Sequence, residues 1–544
     1  MQRAHLERKI AKFEQPENKM KRAIAVCAVA FTMFASNVVF AAETMSLALS
    51  DLLIRAKASG DSIDRVLHDF YAYRGYQPMW VGQNGRNPAA RRVLSLLERS
   101  AGEGLNPSDY TVMLPPSADT HHLARDERNL SRAILRYAHH RAVGRISARQ
   151  VGARYSRVAV AEPPEQVLHA LATAIDPVQT LSQIGPQNEE FQGLLWAYSR
   201  LQRVVAAGGW SGVSEGPTIW PGTADLRVAK VRIALWQRGD YHATEPSASV
   251  VYDEQLGEAV RRFQRRHGLK DDGGIGKGTV RALNIPASTR LAQLRVNLER
   301  RRWQIPAPAE RHIIVNLPAY EMAVMEGEIR TFTSPVVIGA KKHMTPEFSA
   351  DMTYLVLNPH WYVRPSIANE EMLPELRKDP LTYVKKGFRA FASTEGNVTE
   401  VDWESVDWQA TEKVPVYFRQ ESGNTNALGV VRFMWPNKDN IYLHDTPSKK
   451  LFGHARRAFS HGCIRVQDPM GLAAHLLEQK PKWSPDAILA RVKAGKRKSV
   501  SLDQSVHVRM LYHTAWVDAD GTVNFRADVD GRDRELLRLL EPRA

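Results

Sequence analysis

The hydrophobic period changes from helical to strand-like near Arg311, and this constrains the fold more than any other feature. On the N-terminal side apolar residues recur at helical spacing: Ile63, Val66, Leu67 and Phe70 in one segment, then Val93, Leu94, Leu96 and Leu97 in a second. A third helix is expected across 130–143. Beyond Arg311, H-I-I-V-N-L-P-A-Y-E-M-A-V-M-E alternates like a strand, and S-P-V-V-I-G and T-Y-L-V-L-N-P are β-branched runs bounded by glycine and proline. Strands resume at 430–434 and 441–444, followed by a helix near 485–492 and a late strand at 506–516. Residues 361–420 read as a helical, aromatic-rich insertion. At roughly 150 residues per domain, the 544 residues suggest three or four units. The expected architecture is a multidomain α+β chain, with a helical scaffold over 43–225 and a mainly β domain over 311–544 that carries the insertion at about 361–420.

Between those parts, G-G-W-S-G-V-S-E-G-P-T-I-W-P-G at 208–222 is a glycine- and proline-rich linker. Two amphipathic segments and a glycine-rich turn leading to a short third helix follow, and they imply a small three-helix module over 226–290.

One apolar stretch, 23–40, follows the basic residues Lys19, Lys21 and Arg22 and precedes Ala41 and Ala42. That order is expected of an export signal cut near Ala41, with an uncleaved anchor helix as the alternative and Met20 as a second candidate start. Either way the remainder lies outside the cytoplasm, in the periplasm, and any membrane contact is through an uncleaved N-terminus. Removing residues 1–41 discards seven Lys/Arg and three Glu, so the net charge falls from +15 to +11. Export makes nucleic acid an unsuitable partner, and an anionic envelope surface suits the residual charge. Of the two cysteines, Cys27 leaves with the signal and Cys463 remains alone, so a disulfide scaffold is excluded.

Cys463 lies in S-H-G-C-I-R-V-Q-D, residues 460–468, and Y-L-H-D-T-P precedes it at 442–447. A cysteine attacks carbonyls as thiolate, and an imidazole can take its proton and hold the resulting ion pair. His444, at a strand end, can be brought opposite Cys463 by the intervening loop. His461 and Arg465 each stand two residues from Cys463, so extended backbone would put all three on one face. Gly462 permits an unusual φ beside the nucleophile and leaves amides free for an oxyanion hole. Zinc is the competing reading, with His444, His461 and Cys463 as ligands, although the H-x-C pair lacks a usual structural-finger spacing.

His444, fifteen residues, then Ser460, His461, Gly462 and Cys463 resembles the signature of the YkuD-type L,D-transpeptidases. Val336 to Gly339 with Thr345 and Pro346, Asn358 and Pro359 with Trp361, and Asn426 to Gly429 support the likeness. The segment around Phe263, Gln264, Gly268, Asp272, Gly273 and Leu283 resembles the common three-helix peptidoglycan-binding domain. Phe70 to Trp80 and Gly104 to Tyr110 resemble the scaffold of the long Gram-negative form of the family. One departure is Trp361 to Pro365 (W-Y-V-R-P), where proline is expected directly after the valine.

The resemblance implies Cys463 as nucleophile and His444 as general base, oriented by the backbone carbonyl of Asp445. It implies oxyanion donors from the Gly462 and Cys463 amides, helped by Tyr442 or His461, with Ser460 in the same positioning group. Arg465 would stand beside the thiolate and engage the donor, and Trp361 and Asn426 are lid or substrate candidates. No metal and no cofactor are expected. The implied activity is 3-3 cross-linking of peptidoglycan tetrapeptide stems, with wall synthases as further partners. Its alternatives are an L,D-carboxypeptidase, a lipoprotein-anchoring enzyme on the same site, or a non-catalytic wall-binding protein.

Overall fold

The computed structural model describes residues 43–541 apart from 115, 116, 118, 305–309, 395 and 396. The expected export segment at 1–42, with Cys27, lies outside the described residues. Among the described residues no helix is long and apolar enough to cross a membrane. The chain divides into two compact units, the first running to Val143 and including Val160–Gly185, the second made of Gly144–Ala159 and Pro186–Ala544.

The first unit is helical, as its period implies. A helix over 43–58 and the helices Ser62–Tyr73, Pro88–Glu98, Thr120–Val143 and Pro164–Thr173 enclose a core that includes Leu49, Leu67, Phe70, Trp80, Leu97 and Ile134. Asp61 caps the second helix by accepting the amides of Ile63 and Asp64. Buried Glu127 accepts the amides of Met79, Trp80 and Val81 at 2.6, 2.9 and 3.0 Å and the Tyr71 hydroxyl at 2.5 Å. One carboxylate thereby satisfies the turn that joins the Phe70 helix to Trp80.

In the second unit, helices Arg227–Arg238, Glu254–Arg266 and Lys277–Leu283 form the three-helix module around Val231, Leu235, Leu256, Val260, Phe263 and Ile275. Gln264 pins its glycine turn, accepting from the Gly273 amide and donating to the Gly274 carbonyl, each at 2.9 Å. Helix Glu189–Ala206 packs on helix Ala287–Arg302, sharing a core of Leu194, Leu201, Leu294 and Leu298 with Ala515 and Phe525 of a C-terminal hairpin.

The β domain is one nine-stranded mixed sheet. Its strands are β1 (Arg311–Asn316), β2 (Glu321–Glu326), β3 (Ile329–Gly339), β4 (Phe348–Leu357), β5 (Val431–Met434), β6 (Leu443–His444), β7 (Ala458–Ser460), β8 (Ile464–Val466) and β9 (Lys498–Leu511). They lie in the order β7-β3-β8-β6-β5-β4-β9-β1-β2, and a further β2–β3 pairing closes the sheet on itself. The enclosed core includes Val315, Val336, Leu355, Phe433, Leu443, Ile464 and Met510. Because β6 and β8 pair in parallel, the histidine and cysteine segments, distant in sequence, become neighbours.

The insertion is not mainly helical. It contains a four-stranded sheet of Trp361–Tyr362, Tyr417–Gln420, Phe388–Thr394 and Asn397–Val401, with short helical turns over 365–376. Its aromatic residues build its own core: Trp403 stacks on Phe418 at 4.9 Å, and Trp408 donates to the Trp403 carbonyl at 2.7 Å. Trp361 belongs to that core, with its ring 5.8 Å from Phe388.

Candidate active site

The register of β6 on β8 builds the site. Leu443 faces Ile464 and His444 faces Arg465, and the Ile464 amide donates to the Tyr442 carbonyl at 3.1 Å. On the other side of β6, Arg432 of β5 pairs with His444. Paired residues share a sheet face, so Arg432, His444 and Arg465 form a row across three strands. Tyr442 precedes that row, its ring 5.7 Å from His444 and 5.3 Å below the Arg432 guanidinium.

His444 is buried, and its Nδ1 lies 2.5 Å from the Asp445 carbonyl oxygen. A carbonyl can only accept, so Nδ1 carries the proton and Nε2 is the basic atom. Burial, then the guanidinium of Arg465, pushes the imidazole down to about 3, and the resting ring is neutral. The Asp445 side chain has a separate task. It accepts the Val430 amide at 2.9 Å and pairs with Lys449 at 2.6 Å. Gly429, at φ +59°, makes room for it, because a Cβ there would stand 2.2 Å from Asp445 Oδ2.

Cys463 sits at the bend between β7 and β8, with Sγ 3.5 Å from the Asn440 carbonyl and 3.9 Å from Arg364 Nη2. Burial pushes the thiol up, against the opposing influence of Tyr442, Arg364 and Arg465. The Tyr442 hydroxyl, buried beside the thiol, is also raised. At rest the pair is therefore a neutral thiol and a neutral imidazole, not the ion pair expected from the residue types. Arg364, the residue that separates valine from proline in W-Y-V-R-P, is thereby brought to the sulfur, and it also donates to the carbonyls of Asp439 and Asn440.

Four sequence expectations change. Gly462 has φ +108°, so residues 461–463 are bent and the alternation that would align His461 with Cys463 fails. His461 instead meets Glu371 of the insertion, with its ring 4.7 Å from that of His343. The Gly462 amide donates to Ser460 Oγ at 3.1 Å, which leaves it unavailable to an oxyanion. Ser460 Oγ in turn donates to the Cys463 carbonyl at 2.5 Å and locks the bend. The Gly462 carbonyl accepts from Thr345 Oγ1 at 2.8 Å. Asn426 is fully buried. Its amide reaches the Pro359 and Glu421 carbonyls at 3.1 and 2.8 Å, and its oxygen accepts the Leu428 amide at 2.8 Å. It is thus a pin at the base of the insertion and has no atom left for substrate. Trp361, in the insertion core, is likewise a packing residue.

The zinc trio does not converge, since His461 turns to His343 and Glu371, whose three ligand atoms lie within 4.8 Å of one another. Neither the Arg432 nor the Arg465 side chain makes a hydrogen bond or ion pair with a described residue, and the Nε of each is buried without a partner. Arg364, Arg432 and Glu371 escaped the sequence reading because only the strand pairing and the fold of the insertion bring them to Cys463, to His444 and to His461 respectively.

Residues 310–488 match the family model described as "L,D-transpeptidase catalytic domain", residues 225–283 the "Putative peptidoglycan binding domain", and residues 65–197 the "Scaffold domain". A relative from Haemophilus influenzae named "Putative L,D-transpeptidase" is 29% identical over 316 residues, covering 56% of this chain and 62% of its own length. An L,D-transpeptidase structure from Xylanimonas cellulosilytica aligns at 12% identity over 55% of this chain and 99% of its own, with a TM-score of 0.17. One from Stackebrandtia nassauensis aligns at 14% over 55% and 97%, with a TM-score of 0.20. Likeness at those scores carries no weight for the fold. The three domain matches and the relative together establish that the chain carries a YkuD-type L,D-transpeptidase catalytic domain behind a scaffold domain and a peptidoglycan-binding domain.

Proposed function

We propose that the protein is an exported L,D-transpeptidase that joins peptidoglycan stem peptides by 3-3 cross-links through a thioester on Cys463. The observation that carries this reading is the state of His444. Its Nδ1–H is held by the Asp445 carbonyl, its Nε2 is unprotonated, and it stands on a strand paired with the one that follows Cys463.

In the first step Sγ bonds to the carbonyl carbon of meso-diaminopimelate in a tetrapeptide donor, and the thiol proton passes to Nε2 of His444. The bond to the terminal D-Ala breaks, and its nitrogen leaves with that proton. In the second step the side-chain amine of another stem attacks the thioester, the C–S bond breaks, and the proton lost by the amine returns through His444 to the sulfur. No ATP is needed, because the thioester conserves the bond energy. The Cys463 amide and the Tyr442 hydroxyl are the donors suited to the oxyanion. Arg465 and Arg432, both without a counter-ion, suit a donor carboxylate. The insertion, reaching His461 through Glu371, serves as a lid that excludes water and favours the amine. The work is done in the periplasm, beside wall synthases.

The test is incubation of purified protein with disaccharide-tetrapeptide, with products read by mass spectrometry. Dimers linked 3-3, absent with a folded Cys463→Ala variant, support the assignment. Tripeptide alone identifies a carboxypeptidase, and transfer only to a lipoprotein lysine identifies an anchoring enzyme. Undiminished product from Cys463→Ala sinks the thioester, and sacculus binding without any turnover leaves a binding protein.

A further inference from the structure

A cleft opens where the three-helix module meets helices Glu189–Ala206 and Ala287–Arg302 and the C-terminal hairpin. Arginines 200, 238, 266 and 290 line it, and no aspartate or glutamate does. Arg266 is neutralised by Asp240 through two bonds of 2.5 and 2.6 Å. Arg238 and Arg290 form no ion pair with any described residue. Arg238 lies 4.2 Å over the Trp210 ring and donates to the carbonyls of Ala234 and Leu283 at 2.7 and 2.5 Å. Arg290 is only 6% exposed, lies 4.7 Å over Phe525, and bonds with one arm to Gln293 Oε1 at 2.7 Å.

Burying guanidinium groups beside one another without counter-charge is unfavourable, and aromatic faces offset only part of it. The strain registers in the groups themselves: burial, then Arg266, pushes Arg238 and Arg290 down to about 9 each, with Asp240, already bonded to Arg266, opposing the shift at Arg238 only. A structural junction alone would be better served by apolar side chains or by a second carboxylate. The missing counter-charge, the forked donors and the apolar walls around Trp196, Leu201 and Leu294 together describe a receptor for an anion borne on a partly apolar body.

We propose that this cleft binds the free carboxylate of a wall peptide stem, gripped by Arg238 and Arg290 and flanked by Trp210 and Phe525. The identity of the stem rests on the function proposed above; the anion site does not. It would give the binding module a specific hold on peptide as well as glycan, at residues separate from those around Cys463.

The experiment uses the full chain with Cys463 alkylated by iodoacetamide, so that the reaction centre is blocked, and titrates a meso-diaminopimelate tetrapeptide by calorimetry. Binding should weaken about tenfold when the peptide carboxylates are amidated, and about tenfold in Arg290→Gln and in Arg238→Gln. The amidation arm needs no substitution in the cleft, and it is repeated in Arg465→Gln, so that loss of the carboxylate contact proposed at the reaction centre is told apart from loss at the cleft. Equal affinity for free and amidated peptide, arginine variants that bind as wild type, or inorganic phosphate binding as tightly as the peptide would each overturn the proposal. Cross-linking by the unblocked enzyme is read separately. Its absence alongside arginine-dependent peptide binding would remove the proposed reaction and keep this site, and the reverse pattern would remove this site alone.

Discussion

Arg465 stands directly opposite His444 across the parallel β6–β8 pair and has no carboxylate partner among the described residues. A charge so placed depresses the imidazole it faces and remains available to a ligand. Arg465→Gln should therefore raise the His444 pKa from about 3, moving the acidic limb of the kcat/KM profile to higher pH. It should also raise KM for the donor by about tenfold through the lost carboxylate contact. A profile and a KM both unchanged would remove Arg465 from the site.

The thiol offers a second test. With burial raising Cys463 and His444 neutral at rest, alkylation by iodoacetamide should accelerate continuously from pH 6 through the ordinary thiol range and level off only above it. Arg364→Gln should shift that curve further upward, because it removes the guanidinium 3.9 Å from Sγ. A plateau already present at pH 6 would instead mark a preformed thiolate–imidazolium pair.

Gly429 is remote from the sulfur in sequence but supports the base. A Cβ there would overlap Asp445, whose backbone carbonyl holds His444, so Gly429→Ala should lower kcat at least about tenfold with a smaller change in KM. The added side chain also strains a left-handed backbone, at about 1–3 kcal/mol of stability. Full activity in a stably folded variant would show that the turn does not position the imidazole.

Among the described residues, the insertion proposed as a lid contacts the body through the pairs Glu371 with His461 and Glu370 with Lys342. Such exposed pairs contribute little to stability, about 0–1 kcal/mol each. A Glu370→Gln, Glu371→Gln double variant should keep its melting temperature within a few degrees while its product shifts from cross-linked dimer toward hydrolysed tripeptide. An unchanged product ratio would mean that these pairs do not govern water access.

Acid should destabilise the second unit. His267, His444 and His513 are all held neutral by burial, so each pKa lies below its unfolded value near 6.5. The unfolded chain then binds the extra protons as pH falls through 6.5. Stability from these groups is present above that pH and is lost below it, by about 1.4 kcal/mol per unit for each imidazole until the folded value is reached. Urea unfolding between pH 7 and pH 5 measures the slope, and His513→Gln should remove one proton's share of it.

Much of the site was legible in the sequence because the chemistry is local. The residue types at His444, Gly462 and Cys463 are read directly, and the resemblance points to the Asp445 carbonyl; in the structure the strand of His444 pairs with the one that follows Cys463, Gly462 has φ +108°, and the Asp445 carbonyl lies 2.5 Å from His444 Nδ1. Reading failed where backbone conformation decides direction. His461 departs because φ at Gly462 breaks the alternation, and the Gly462 amide is taken by Ser460 for the same reason. Asn426 looked like a substrate contact because an isolated amide in a loop gives no sign of whether its bonds go to ligand or to backbone.

By itself, then, the sequence determined the change from helical to strand period at Arg311, the three-helix module, and the pairing of one histidine motif with one cysteine motif on which the proposed chemistry rests, since periodicity and reactive residue types are properties of contiguous residues. Tertiary structure alone decided the row of Arg432, His444 and Arg465, the approach of Arg364 to the sulfur, the sheet within the insertion, and the arginine cleft beside the module. Each of these depends on pairing between segments far apart in the chain. Their charges act on one another only after strand register and helix packing have brought them together and removed the water between them.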